Sequence, residues 1–218
     1  GSYVDEKRLR FDFTQLKKVS ERELRKVEEM ANEWIEKNIT VRKEIKSLEQ
    51  AKSEGALSFF GEKYGETVRM VSIGDASKEL CGGTHVDNTG VIKLVKIVSE
   101  SSVASGIRRI EAVTGDNAVE WIKHAVDGLL KEYSRAAQSL GLSNDAEKKV
   151  EGFVSAMGLA VKIVSGKLPI DKGTCRDFDE IIKPSFEAAN EYMEKMRREK
   201  EKEKEADSFL KIKDELEK

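Results

Sequence analysis

The run Cys81-Gly82-Gly83-Thr84-His85 sets a thiol and an imidazole four residues apart around two glycines. Zinc takes thiolate and imidazole donors in a tetrahedral shell, and C-x-x-x-H spacing lets one short loop bring both to a single ion. Without a Cβ, Gly82 and Gly83 allow a tight turn and let a substrate approach the backbone. On spacing alone a packing role stands beside the metal reading; the paired glycines and the strand-like runs on either side favour the metal. A protein zinc site needs at least three ligands. The chain has one other histidine, His124, and one other cysteine, Cys175. His124 falls on a helical pattern beside Trp121 and Ile122, as a partly exposed helix histidine, and Cys175 follows a Gly-Thr loop as an ordinary small residue. The missing ligands are therefore expected from outside the chain.

The elements that must position this loop are legible from periodicity. Residues 8–13 alternate, Leu9, Phe11 and Phe13 to one side and Arg8, Arg10 and Asp12 to the other, which is the period of a half-buried strand. Ser20 and Glu23 form a capping box, after which Leu24, Val27, Ala31, Trp34 and Ile35 recur at helical spacing until Asn38. Ile39, Val41 and Ile45 fit an extended segment, and residues 48–54 a short helix stopped by Gly55. Residues 67–73, 91–99 and 107–114 are dense in Val and Ile and separated by glycine-bearing loops, which predicts a mainly antiparallel sheet.

After Gly115 the period turns helical. Ala118, Ile122, Ala125, Leu129, Tyr133, Ala136 and Leu140 mark one face, and Val150, Val154, Met157, Val161 and Val164 a second. Residues 166–174, with Pro169 and Gly173, break the pattern before Phe178, Ile182, Phe186, Ala189, Met193 and Met196 resume it. Residues 194–205 are almost all Lys, Arg or Glu, the composition of a solvated single helix or a frayed tail. The expected class is α+β: a mainly antiparallel sheet with packed helices over residues 1–115, then an α-helical spacer or bundle with a charged C-terminal helix over 116–218.

Composition bounds the function classes. At 218 residues the chain holds one large domain or two small ones, on a prior of roughly 150 residues per domain. With 39% hydrophobic and 37% charged residues, no stretch approaches the ~20 apolar residues that cross a bilayer, so no membrane role is expected. Two cysteines in unlike settings and no apolar leader imply a reducing, cytoplasmic setting, with an organelle also compatible. A formal charge of −2, from 39 basic and 41 acidic residues, neither demands nor excludes a nucleic-acid partner.

Four ordered motifs carry a resemblance: residues 9–13 (LRFDF), 60–65 (FGEKYG), 79–86 (ELCGGTHV) and 106–115 (GIRRIEAVTG). Together they resemble the editing domain of alanyl-tRNA synthetase over roughly residues 1–115. The resemblance implies that Cys81 and His85 are two of four zinc ligands, the other two lying in an H-x-x-x-H helix upstream that has no counterpart here. It also implies that Gly1-Ser2 lies inside a longer protein, and that ATP and magnesium serve only a synthetase domain ahead of it. Two ligands imply weak zinc retention and little activity for the chain alone.

The implied chemistry is hydrolysis of the ester joining serine or glycine to the acceptor end of the alanine tRNA. A small synthetic pocket gains only about 1–3 kcal/mol from one hydroxyl or methyl, so a second hydrolytic site restores fidelity. Zinc there either orients the substrate or activates water by lowering its pKa toward ~7. Thr84 is the candidate catalytic hydroxyl, bonding substrate or water, with a structural role in the turn as the other reading. Gly82, Gly83, Arg108 and Arg109 are the candidate tRNA contacts. Adjacent strand residues point to opposite faces, so at most one arginine faces the tRNA while the other pairs with a carboxylate such as Glu111 or Asp116; solvation of both is the plainer reading. Lys63 and Tyr64 would contact phosphate, stack on a base, or form a plain turn. Arg8 and Arg10 would add unspecific attraction. A free-standing alanyl-tRNA editing hydrolase, the editing domain of threonyl-tRNA synthetase, and a noncatalytic RNA-binding or oligomerisation module are the alternatives.

Overall fold

The computed structural model describes residues 1–58, 64–140 and 149–216, and side chains as far as 209. In chain order the elements are β1 (Ser2–Val4), β2 (Leu9–Thr14), α1 (Glu21–Glu36), β3 (Val41–Ser47), α2 (Leu48–Ser53), β4 (Thr67–Ile73), β5 (Ser77–Leu80), β6 (Val95–Ala104), β7 (Ile107–Thr114), α3 (Gly115–Leu140), α4 (Phe153–Val164), α5 (Lys172–Asp177) and α6 (Lys183–Leu216). A 3-10 turn at Thr89–Ile92 precedes β6, and a π turn at Phe178–Ile182 joins α5 to α6. The chain divides into two compact units, Gly1–Val119 and Glu120–Lys218.

The first unit holds two sheets rather than one: a four-stranded sheet in the order β1-β2-β7-β6 and a three-stranded sheet in the order β3-β4-β5. Every named strand pair is antiparallel, so the α+β expectation holds. The strand expected at residues 91–99 begins only at Val95. Ahead of it the buried Thr89 hydroxyl donates to Trp34 O at 2.6 Å and accepts Ile39 N at 2.8 Å, while Asn38 Oδ1 accepts Gly90 N at 3.2 Å. A chain held by such side-chain bonds winds into a short turn instead of a ladder. A Cβ at position 90 would collide with the Asn38 amide, so any other residue there would displace that side chain and its bond to the position-90 N–H. The short β1 and β5 had no periodic signal; β5 reads Ser-Lys-Glu-Leu, with one apolar residue.

Helix α1 begins where expected, with both capping-box bonds between Ser20 and Glu23 present. Its buried residues are Glu28, Asn32 and Ile35, while Val27 is half exposed. The reason is its partner. Strand β6 is an edge of the four-stranded sheet, and an edge leaves a row of backbone donors and acceptors to be satisfied. Asn32 bonds Val95 reciprocally, Nδ2 donating to O and Oδ1 accepting from N, both at 2.9 Å. Glu28 accepts Ile97 N at 2.6 Å and the Lys96 ammonium at 3.1 Å, with both side chains almost fully buried. Two polar side chains thus stand in for a missing strand. On β2 the alternation is equally blurred: Phe11 is 45% exposed and stacks on Phe13, and the Arg10 guanidinium lies over the Tyr3 ring.

The three-stranded sheet packs Val68, Met70 and Leu80 against Ala51 of α2 and Ala56, with Tyr64 at the margin. Ile45, extended as expected, is 68% exposed.

In the second unit α3 buries Ile122, Val126, Tyr133 and Ala137. Helix α4 forms, but the stripe expected to be its inner face lies outward: Val154, Val161 and Val164 are exposed, and Phe153, Ala156, Ala160 and Ile163 are buried. The aromatics decide this orientation, since Phe153 packs 4.7 Å from Tyr133 and 5.0 Å from Phe186, ring centre to ring centre. The break is shorter than expected as well. Asp171 caps a helix at Thr174, so Gly173 and Thr174 are helical, and Cys175 is buried. The stripe Phe178, Ile182, Phe186, Ala189 and Met193 is buried throughout. Residues 194–205 continue α6 as a largely exposed charged helix. No helix among the described residues is long and apolar enough to cross a membrane.

Three substitutions test this packing by urea denaturation. Ile163→Ala should cost about 2–5 kcal/mol, while Val161→Ala, on the exposed side of the same helix, should stay within about 0.5 kcal/mol. Lys96→Ala, which strips the ammonium from a buried carboxylate, should cost about 3–5 kcal/mol.

Candidate functional site

Cys81 is the first residue beyond β5, and the β4–β5 register places it opposite Arg69. The Cys81 N–H donates to Arg69 O at 3.1 Å, and Arg69 Nε donates to Cys81 O at 2.9 Å. The chain then leaves the sheet, yet the same guanidinium follows it. Arg69 Nη2 donates to Gly83 O and lies 3.3 Å from His85 Nδ1, which is itself 3.1 Å from Gly83 O. The loop is anchored upstream by Leu80 N donating to Leu57 O at 3.0 Å. Downstream, Asp87 O accepts Val41 N at 2.8 Å and the Asp87 carboxylate pairs with Lys43 at 2.7 Å.

The two donor side chains face one space. A Cβ placed on Gly83 would lie 3.5 Å from Cys81 Sγ and 4.0 Å from His85 Cε1, so the thiol and imidazole flank a cradle that a side chain at 83 would fill. A Cβ on Gly82 would meet nothing within 4 Å. Neither glycine is among those with positive φ, so what they supply is room rather than a left-handed turn. Cys81 and His85 are half-buried; Gly82, Gly83 and Thr84 are exposed. Among the described residues no group of three or more His, Cys, Asp or Glu forms a metal cluster. His124 is exposed on α3 and Cys175 is buried in α5.

Residues 68–111, which include this loop, match the family model described as the threonyl and alanyl tRNA synthetase second additional domain. The chain is 50% identical over 139 residues to alanine–tRNA ligase 1 of Lachnoclostridium phytofermentans, covering 64% of this chain and 16% of that protein. It is 43% identical over 158 residues to the alanine–tRNA ligases of two Haemophilus influenzae strains, covering 69% of this chain and 18% of each relative. The chain belongs to the alanyl-tRNA synthetase family. It spans less than a fifth of the length of these curated relatives.

The double arginine of this synthetase segment lies on β7, in the other sheet, and both guanidiniums are engaged. Arg108 forms a bidentate pair with Glu100 at 2.5 and 2.7 Å, and Arg109 with Asp12 at 2.7 and 3.0 Å. These are not the carboxylates expected, because cross-strand register outweighs nearness along the chain. Asp12 stands directly opposite Arg109 in the β2–β7 ladder. Glu111 instead takes Arg8 and the Ser99 hydroxyl, and Asp116 takes Lys93. Of the two, Arg109 is the more exposed, 27% against 13%. The expectation for Lys63 lies outside the described residues, and Tyr64 packs half-buried against the Met70 cluster.

Arg69 had no place in the sequence reading. In Val68-Arg69-Met70-Val71 it scans as an outward strand residue, and its task follows only from the register that sets it opposite Cys81.

Hydrogen bonding from Arg108 holds the Glu100 carboxyl below its ordinary 4.5, and Arg109 likewise holds Asp12 below 3.8. A depressed folded pKa stabilises the fold fully above the ordinary value, and that contribution is lost as pH falls through the folded value. Urea midpoints should therefore decline on acidification below those ordinary values, and Glu100→Gln should make that decline shallower. An unchanged slope would contradict the assignment.

Proposed function

We propose that this segment carries half of the proofreading site of an alanine–tRNA ligase, which hydrolyses the ester of serine or glycine mistakenly joined to the 3′ end of the alanine tRNA. Water adds to the ester carbonyl, the bond to the ribose oxygen breaks, the amino acid departs as its carboxylate and the ribose oxygen regains a proton. The observation that carries this reading is the convergence of Cys81 Sγ and the His85 ring on the space beside Gly83. A soft thiolate and an imidazole are the donor pair zinc prefers, so the residues present suit that ion. Zinc, when bound, would polarise the ester or lower the pKa of water toward ~7.

The chain's own residues supply the rest. Cys81 and His85 offer two donor atoms, and two further ligands come from outside the described residues. Gly83 keeps the space between the donors open, and the exposed backbone at Gly82 lets the terminal adenosine and its ester approach. Thr84, exposed beside His85, would bond substrate or attacking water through its hydroxyl. Arg109 reaches the tRNA acceptor end only by exchanging its Asp12 partner for phosphate, while Arg108 stays with Glu100. Residues 1–115 are the editing portion and 116–218 a helical spacer; ATP and magnesium belong to a synthetase domain elsewhere in the protein, and the setting is the cytoplasm or an organelle.

In the complete ligase, Cys81→Ala should leave aminoacylation intact and slow clearance of seryl-tRNA by about 100-fold or more, the scale of losing a principal source of transition-state stabilisation. Equal loss of both activities would instead mean global unfolding. Gly83→Ala makes only ordinary contacts and should leave the urea midpoint unchanged while lowering zinc content. The chain alone should retain zinc weakly, because two ligands lack the affinity of a complete shell; stoichiometric zinc in this chain with rapid deacylation would overturn the half-site.

A further inference from the structure

Strand register sets Arg10 directly opposite Tyr3 on β1 and Glu111 on β7. Glu111, though, is occupied by Arg8 at 3.2 Å and by the Ser99 hydroxyl at 3.0 Å, and Asp12, on the same face, is held by Arg109. Among the described residues no carboxylate forms an ion pair with Arg10, and its buried Nε has no hydrogen-bond partner. The guanidinium lies instead over the Tyr3 ring, 5.0 Å from its centre, and Tyr3 remains 48% exposed. This is the polar side of the sheet. The apolar side, where Phe11 stacks on Phe13, is the one that further packing would cover.

We propose that Tyr3 and Arg10 form a stacking site for an unpaired nucleotide of RNA, with the base against the tyrosine ring and its phosphate at the guanidinium. Every nucleotide of a single strand presents a flat base and a negative phosphate, and an aromatic ring beside a cation suits both. The cation–π contact fixes the guanidinium over the ring and leaves its Nη groups, which no described carboxylate takes, to donate to phosphate. Phosphate need not displace a protein carboxylate here, as it must at Arg109 on the same face. A duplex hides its base faces in its own stack, so the site selects unpaired strands. The inference deepens the proofreading reading, because the acceptor end of a tRNA is unpaired. Only the identification of the RNA as tRNA rests on that reading.

Fluorescence anisotropy with this chain, free of metal, and a short fluorescein-labelled single-stranded RNA tests the site. The single strand should bind at least about 5-fold more tightly than the same sequence in a duplex, and Tyr3→Ala should weaken it by roughly 5–100-fold, the scale of one lost base stack. Tyr3→Phe keeps the ring and should keep the affinity. Arg10→Ala should weaken binding and lower the slope of log affinity against log salt by about 0.7, one phosphate contact, whereas Tyr3→Ala should leave that slope unchanged. In the wild type, the Tyr3 ring resonances should move upfield as RNA is added, a readout that needs no variant. Absent single-strand binding, equal affinity for the duplex, unchanged affinity in Tyr3→Ala, loss in Tyr3→Phe, or unmoved ring resonances would each overturn the site. RNA binding through Tyr3 together with undiminished seryl-tRNA clearance by the Cys81→Ala ligase would overturn proofreading at the loop and keep the stacking site. The reverse pair of results would overturn the stacking site alone.

Discussion

Two backbone carbonyls converge on one guanidinium at the end of the three-stranded sheet, and the conformation of the Cys81–His85 loop depends on that convergence. The carbonyls of Cys81 and Gly83 carry like partial charges and have no strand to pair with; bringing both toward one side of the loop requires a shared donor. Arg69 is that donor. Its position is not a property of the loop. It follows from the β4–β5 register, in which Met70 faces Leu80 and the next pair outward is Arg69 and Cys81. A slip of one residue would turn Arg69 to the other face of the sheet and release the loop.

The same loop is tied at its far end to the polar docking of α1. Thr89 bonds both Trp34 O, near the end of α1, and Ile39 N, while α1 itself is held against the edge of β6 by Glu28 and Asn32. Buried ionic and amide groups are costly, and apolar packing of equal volume would often be at least as stable. What the polar contacts supply is register: Asn32 matches one residue of β6 with both a donor and an acceptor, and Glu28 matches the next in-line amide. An apolar helix face would slide along an edge strand more readily than this one.

These polar contacts also explain which parts were legible in the sequence. The capping box of Ser20 and Glu23, the strands at residues 67–73 and 107–114 and the apolar stripe from Phe178 to Met193 are local signals, and the structure has them where the pattern sets them. Patterns that depend on the partner were misread. Helix α1 turns Glu28 and Asn32 inward because its partner is a bare sheet edge, and α4 turns Val161 outward because Phe153 fits between Tyr133 and Phe186. The loop's donors were visible in Cys81 and His85. Arg69 was not, nor were the carboxylates that occupy Arg108 and Arg109, since all three depend on which strand lies alongside. Sequence spacing offers candidate donors; register decides which side chains lie beside them.

The central claim is that the Cys81 thiolate and the His85 imidazole share one metal ion. Replacing zinc by cobalt(II) in the complete ligase tests this most directly, because cobalt bound to a thiolate absorbs in a charge-transfer band that nitrogen and oxygen ligands do not produce. The account predicts that band in the wild-type protein, its loss in Cys81→Ser and its persistence in Cys175→Ser. A band that survives in Cys81→Ser would place the metal elsewhere and contradict the account.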